Sequence, residues 1–104
     1  TFTIQCVYDK GRLPLYHFDL YRLTDAEQLG DAGVYDALDG DGACLVEWGE
    51  QFEEELGDER LDVVLERMGA QTQDGAEPAR RITFEPHGKR ACELVRALRD
   101  ALGA

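Results

Sequence analysis

No apolar run in this sequence approaches the ~20 residues that a membrane-spanning helix requires, and no stretch has the make-up of a signal peptide. A reducing, cytoplasmic setting is the expectation. Cysteine points the same way. Cys6, Cys44 and Cys92 are odd in number and widely spaced, and no C-x-x-C pair occurs. That pattern argues against a disulfide framework and against a zinc site. Cys6 and Cys44 lie in apolar runs and read as small core residues. Basic residues are scarce, 11 against 22 acids, for a formal net charge of −11. So acidic a chain is a poor ligand for a nucleic-acid backbone, and strong direct binding to nucleic acid is not expected. Arg80, Arg81, Lys89 and Arg90 gather as a local basic patch. The acidity otherwise suits solubility or a basic protein partner. Internal repeats and low-complexity tracts are also missing.

What is present is an ordinary globular composition, 43% hydrophobic and 32% charged over 104 residues. That is enough for a single domain, 1–104, with a small core. Phe2 to Tyr8 alternates and predicts a strand. Asp9-Lys10-Gly11-Arg12 is a turn signal, so the first two strands form a hairpin. Thr24-Asp25-Ala26-Glu27 matches a capping box and starts a short helix that Gly30 stops. Val34 to Leu38 adds another helical turn or two. Asp39-Gly40-Asp41-Gly42 lacks calcium-loop ligand spacing and reads as a plain loop. Ala43-Cys44-Leu45-Val46 is a continuous apolar run, the pattern of a strand covered on both faces. Gln51 to Leu56 predicts a short acidic helix. Leu61 to Met68 and Arg81 to Glu85 predict a strand pair around a polar loop, Ala70 to Ala79. Pro86-His87-Gly88 reads as a break, with His87 a loop residue. Lys89 to Leu102 carries apolar residues at 91, 94, 95, 98, 101 and 102, a helical stripe.

This order predicts an α/β fold with a mixed sheet, a parallel central pair flanked by antiparallel hairpins. Only one long helix is encoded, so the helix needed on the other face of the sheet is missing and the fold is expected to be incomplete.

Two stretches carry candidate chemistry. In Leu15-Tyr16-His17-Phe18-Asp19-Leu20-Tyr21-Arg22, strand alternation puts Tyr16, Phe18 and Leu20 on a core face. His17, Asp19 and Tyr21 share the other. Asp19 either caps a loop at the strand end or delivers a carboxylate to a site, where it needs a donor or a cation. The Ala43–Val46 run ends in Glu47-Trp48-Gly49-Glu50, a second acid at a strand end. Ligands of open α/β sheets sit beyond the carboxyl ends of the strands, and two carboxylates there suit Mg²⁺. A separation of roughly 4–7 Å between the Asp19 and Glu47 carboxylates is expected of a shared ion.

Together, His17-Phe18-Asp19-Leu20-Tyr21-Arg22-Leu23, Leu29-Gly30 and Leu45-Val46-Glu47-Trp48-Gly49-Glu50 resemble the TsaE family. Thr1-Phe2-Thr3 resembles the end of that family's Ser-Pro-Thr-Phe-Thr segment, and Arg81-Ile82-Thr83-Phe84 resembles its late strand. TsaE proteins are small bacterial P-loop ATPases of tRNA threonylcarbamoyladenosine synthesis. The resemblance implies a P-loop NTPase-like core binding ATP and Mg²⁺. It implies catalytic and metal-binding roles for Asp19, a Walker B-type acid, and for Glu47. It implies nucleotide contacts by Trp48 and by Thr1, the latter near the γ-phosphate, and work alongside a TsaB–TsaD-type pair. Arg22 would serve phosphate, partner or fold.

Two departures stand out. Gly49 occupies a position where the family usually has proline, which suggests a looser backbone after Trp48. No G-x-x-x-x-G-K-[ST] occurs anywhere in the sequence, so the amides and lysine that hold phosphates are absent. The chain is therefore expected to be the C-terminal portion of a TsaE-like ATPase domain, lacking the first strand–P-loop–helix unit. Alone it is expected to be inactive toward ATP, and a homodimer could form through the surface that unit would cover. A non-enzymatic acidic interaction module is the alternative reading.

Overall fold

The computed structural model describes residues 5–69 and 79–103. The element order is β1 (Gln5–Tyr8), β2 (Leu15–Asp19), α1 (Glu27–Asp31), α2 (Val34–Leu38), β3 (Ala43–Glu47), a 3₁₀ turn (Glu50–Phe52), α3 (Glu53–Leu56), β4 (Arg60–Arg67), β5 (Arg80–His87) and α4 (Lys89–Leu102). They fall into two compact units divided between Leu56 and Gly57.

The first unit is built on a three-stranded sheet in the order β1-β2-β3. β1 and β2 form the expected antiparallel hairpin, with Gln5 opposite Phe18 and Tyr8 opposite Leu15. β2 and β3 are parallel, from Leu15 beside Ala43 to Asp19 beside Glu47. The mixed sheet expected of a P-loop NTPase-like core is thus present. Parallel neighbours need a crossover connection, and α1 and α2 supply it. Gly33 joins those helices at φ 86°, a left-handed geometry that glycine adopts without steric cost. A second glycine is fixed by space. The Ala43 amide donates to the Pro14 carbonyl at 2.9 Å, and a Cβ on Gly42 would collide with that carbonyl.

Phe18, Leu20, Leu23, Leu29, Val34, Ala37 and Phe52 form the core of this unit, with Tyr16, Cys44, Val46 and Leu56 packed against it. Alternation delivers Tyr16, Phe18 and Leu20 from β2 and its extension, and Cys44 and Val46 from β3. Burial pushes the Cys44 thiol above its ordinary range, because an apolar setting disfavours the thiolate. The hydroxyl of Tyr16 donates to Asp41 Oδ1 at 3.1 Å, and this bond, chiefly, raises its phenol pKa.

Three local expectations are corrected. β3 is covered on one face only: Leu45 is 52% exposed, because no element lies over it among the described residues. The Thr24–Glu27 capping box does not form. Instead Gln28 Oε1 accepts the amides of Thr24 at 2.7 Å and Asp25 at 3.1 Å, and Asp25 Oδ1 accepts that of Glu27 at 3.0 Å. The helix starts at Glu27, after Ala26 at the N-cap position with no side-chain cap bond, and runs through Gly30 to Asp31. The third correction concerns Pro86 and His87, which lie within β5 rather than in a break. Proline is tolerated in an edge strand, and the chain leaves the ladder only at Gly88.

The second unit is a β4–β5 hairpin with α4. The antiparallel register runs from Arg60 opposite His87 to Arg67 opposite Arg80. Leu61, Val63, Leu65, Ile82, Phe84 and Pro86 therefore share one face. Arg60, Asp62, Val64, Glu66, Arg81, Thr83, Glu85 and His87 share the other. Ala91 of α4 is buried, whereas Leu65, Ile82 and Leu102 are well exposed. The expected 70–79 loop and the start of the first strand, Phe2 to Ile4, fall largely outside the described residues. No helix among the described residues is long and apolar enough to cross a membrane.

Two measurements check this packing. Leu29→Ala should cost about 2–5 kcal/mol in urea unfolding, the usual range for a fully buried leucine. Leu45→Ala should cost about 0.5 kcal/mol, as at other exposed positions. At neutral pH iodoacetamide should label exposed Cys92 before Cys44. Labelling of Cys44 should accelerate as pH rises, since the thiolate is the nucleophile.

Candidate functional site

The site forms where β2 and β3 end. Asp19 and Glu47 are register partners on neighbouring parallel strands, so their side chains project from the same face. The ladder continues one step past them, with the Leu20 amide donating to the Glu47 carbonyl at 3.0 Å. Each acid is held by one oxygen. Asp19 Oδ1 accepts the Tyr21 amide at 3.1 Å, an Asx turn that bends the chain out of the strand. Glu47 Oε2 lies 2.9 Å from His17 Nε2. His17 precedes Asp19 by two residues and so shares its face. The sequence placed it there but gave no sign of its pairing with Glu47. With side chains 30% and 53% exposed, this pair orients the carboxylate more than it stabilises the fold.

Beyond Glu47 the backbone turns sharply. Trp48 has φ 61°, rare for a bulky residue and a form of strain that clusters at ligand sites. The turn lays the indole against Tyr21, with ring centroids 5.0 Å apart and planes at 53°. Tyr21, Trp48, Glu50 and Gln51 line an open depression of about 230 Å³. Gln51 Nε2 donates to the Leu23 carbonyl at 2.8 Å, fastening the loop after β3 to the loop after β2. Gly49 is packed rather than loose. A Cβ there would lie 3.0 Å from Leu56 Cδ1 and 3.2 Å from Val46 Cγ1, and its carbonyl accepts the Phe52 amide at 2.8 Å.

The structure therefore brings Asp19, Glu47 and Trp48 to one end of the sheet. Arg22 is exposed in the turn after β2, and Thr1 lies outside the described residues. Two strand-end carboxylates, each with one oxygen engaged and one left over, suit a hard cation such as Mg²⁺ that keeps most of its waters. The His17–Glu47 pair and the Gln51 tether are the contacts at this end of the sheet that sequence reasoning missed. Both span about thirty residues, and nothing local marks them.

Comparison with known proteins points to one family. Residues 1–77 match the family model described as threonylcarbamoyl adenosine biosynthesis protein TsaE. The chain is 43% identical over 90 residues to the tRNA threonylcarbamoyladenosine biosynthesis protein TsaE of Bacillus subtilis, covering 86% of this chain and 51% of that protein. It is 43% identical over 65 residues to TsaE of Treponema pallidum, covering 62% of this chain and 47% of the relative. The crystal structure of Bacillus subtilis YdiB superposes with a TM-score of 0.70 at 39% identity, over 96% of this chain and 57% of that one. The chain thus spans about half the length of the curated relatives it matches. With the sequence match and the fold match in agreement, the chain belongs to the TsaE family.

Proposed function

We propose that this chain supplies the acidic side of the nucleotide site of a TsaE-type ATPase, acting in threonylcarbamoyladenosine formation on tRNA beside a TsaB–TsaD-type pair. The observation that carries the reading is the side-by-side placement of Asp19 and Glu47 at the ends of parallel strands. The donor set fits Mg²⁺, which Asp19 and Glu47 would hold. When bound with ATP, Mg²⁺ supplies neutralisation of charge on the phosphate oxygens. Asp19 would also orient the attacking water, with the Tyr21 amide fixing its carboxylate. His17 would keep Glu47 in one rotamer. Trp48 and Tyr21 present an aromatic wall beside the acids, and Thr1 would face the γ-phosphate. ATP itself needs more than these residues: the G-x-x-x-x-G-K-[ST] segment that cradles phosphates is absent from the sequence. Positioning and charge stabilisation carry phosphoryl transfer, so residues 1–104 alone would neither bind ATP tightly nor hydrolyse it. A cytoplasmic setting would fit the free cysteines.

Phosphate-release assays and calorimetry test this on the 104-residue chain and on a version extended upstream through a phosphate loop. The extended protein should hydrolyse ATP only with Mg²⁺, and the short chain should not. In the extended protein Asp19→Asn should lower turnover about 100-fold, the scale of losing one preorganised electrostatic group, with the fold intact. Glu47→Gln should raise the Mg²⁺ concentration required more than it weakens ATP affinity. Turnover by the short chain, or unchanged turnover in Asp19→Asn, would refute the proposal.

A further inference from the structure

A second group of metal-ligating side chains lies in the other unit, on the polar face of the β4–β5 hairpin. Asp62 and Glu85 are register partners, and Arg60 faces His87 two residues along the ladder. One donor atom each from Asp62, Glu85 and His87 lie within 4.8 Å of one another. Two carboxylates directly opposite in a ladder repel, so this arrangement needs positive charge. Arg60 supplies part of it, with Nε 2.9 Å from Asp62 Oδ1 and Nη2 3.3 Å from Oδ2, while its Nη1 donates to the Gly57 carbonyl at 2.7 Å.

His87 adds an independent observation. Its Nε2 is shut off from solvent and has no hydrogen-bond partner. It lies 3.0 Å from Asp62 Oδ2, an ion-pair distance without hydrogen-bond alignment. A buried polar atom left unsatisfied calls for an explanation, and a bound ion is one. An imidazole nitrogen beside two carboxylate oxygens is a set of three metal-donor atoms.

We propose that Asp62, Glu85 and His87 form a binding site for a first-row transition cation, Zn²⁺ being the best fit. The imidazole favours such a cation over Mg²⁺ or Ca²⁺. Three protein ligands leave a position open for water, as in open zinc sites. Zinc holds these donors at about 2.0–2.2 Å, so small side-chain rotations would draw the three atoms together. Arg60 Nε can stay on Asp62 Oδ1 while Oδ2 turns to the ion, the usual role of an outer-shell partner. The ion would clasp β4 to β5 immediately before Gly88 and the start of α4. No cysteine takes part, so the cysteine spacing that argued against zinc does not bear on this site.

The test is calorimetric titration of the metal-free 104-residue chain with ZnCl₂, with Co²⁺ absorption as a spectroscopic check. One equivalent of Zn²⁺ should bind and raise the thermal midpoint. Affinity should fall on acidification, because protons compete for the imidazole nitrogen. His87→Ala and Glu85→Gln should each weaken binding at least about 10-fold, and Cys92→Ser should leave it unchanged. Glu85→Gln preserves side-chain shape and guards against a folding defect in His87→Ala, and circular dichroism checks both. Absence of saturable binding, binding unchanged in both variants, or binding lost with His17→Ala instead would overturn the site.

Discussion

The parallel pairing of β2 with β3 is the constraint on which the candidate site depends. A slip of one residue would move Glu47 to the opposite face of the sheet from Asp19. Several contacts hold the register. Ala43 bonds to Pro14 at one end and Leu20 to Glu47 at the other. Gly42 admits no side chain beside Pro14. Between them, Phe18 sits beside Val46 on the core face. The acids are thus positioned by backbone hydrogen bonds and core packing, and the polar site draws its precision from apolar residues one step away.

The loops that leave the two strands are tied as well. Trp48 is held in the left-handed region, at a cost of roughly 1–3 kcal/mol for a residue of its kind. The Tyr21 ring and the Gln51–Leu23 bond join the two loops. The His17–Glu47 pair is a third link, and an exposed one.

The hairpin unit follows a different logic. Its regular antiparallel ladder sorts side chains into an apolar face and a charged face. α4 brings an apolar stripe, yet of its residues only Ala91 is fully buried among those described. The charged face concentrates unlike groups at one end, where Arg60, Asp62, Glu85 and His87 meet. Extension of β5 through Pro86 creates this cluster, because it keeps His87 on the face of Glu85.

Local pattern alone determined the elements of this protein. Alternation in Leu15–Leu20 and the apolar run Ala43–Val46 specify strands, the stripe from Ala91 to Leu102 specifies a helix, and both strand-end acids were legible as site candidates. These signals rest on periodicities of two and 3.6 residues, which single stretches record in full. The family, too, was legible in the H-F-D-L-Y-R and E-W-G-E stretches. Tertiary structure decided what depends on pairing between distant residues. It set Asp19 beside Glu47, gave His17 its partner, replaced the Thr24 capping box with Gln28, and left Leu45 exposed on an uncovered face. It also carried β5 past Pro86, where the dipeptide signal read as a break, because the edge position removes the penalty for a missing amide. A sequence states which face each side chain takes within its own strand. Only the register between strands decides what it meets there.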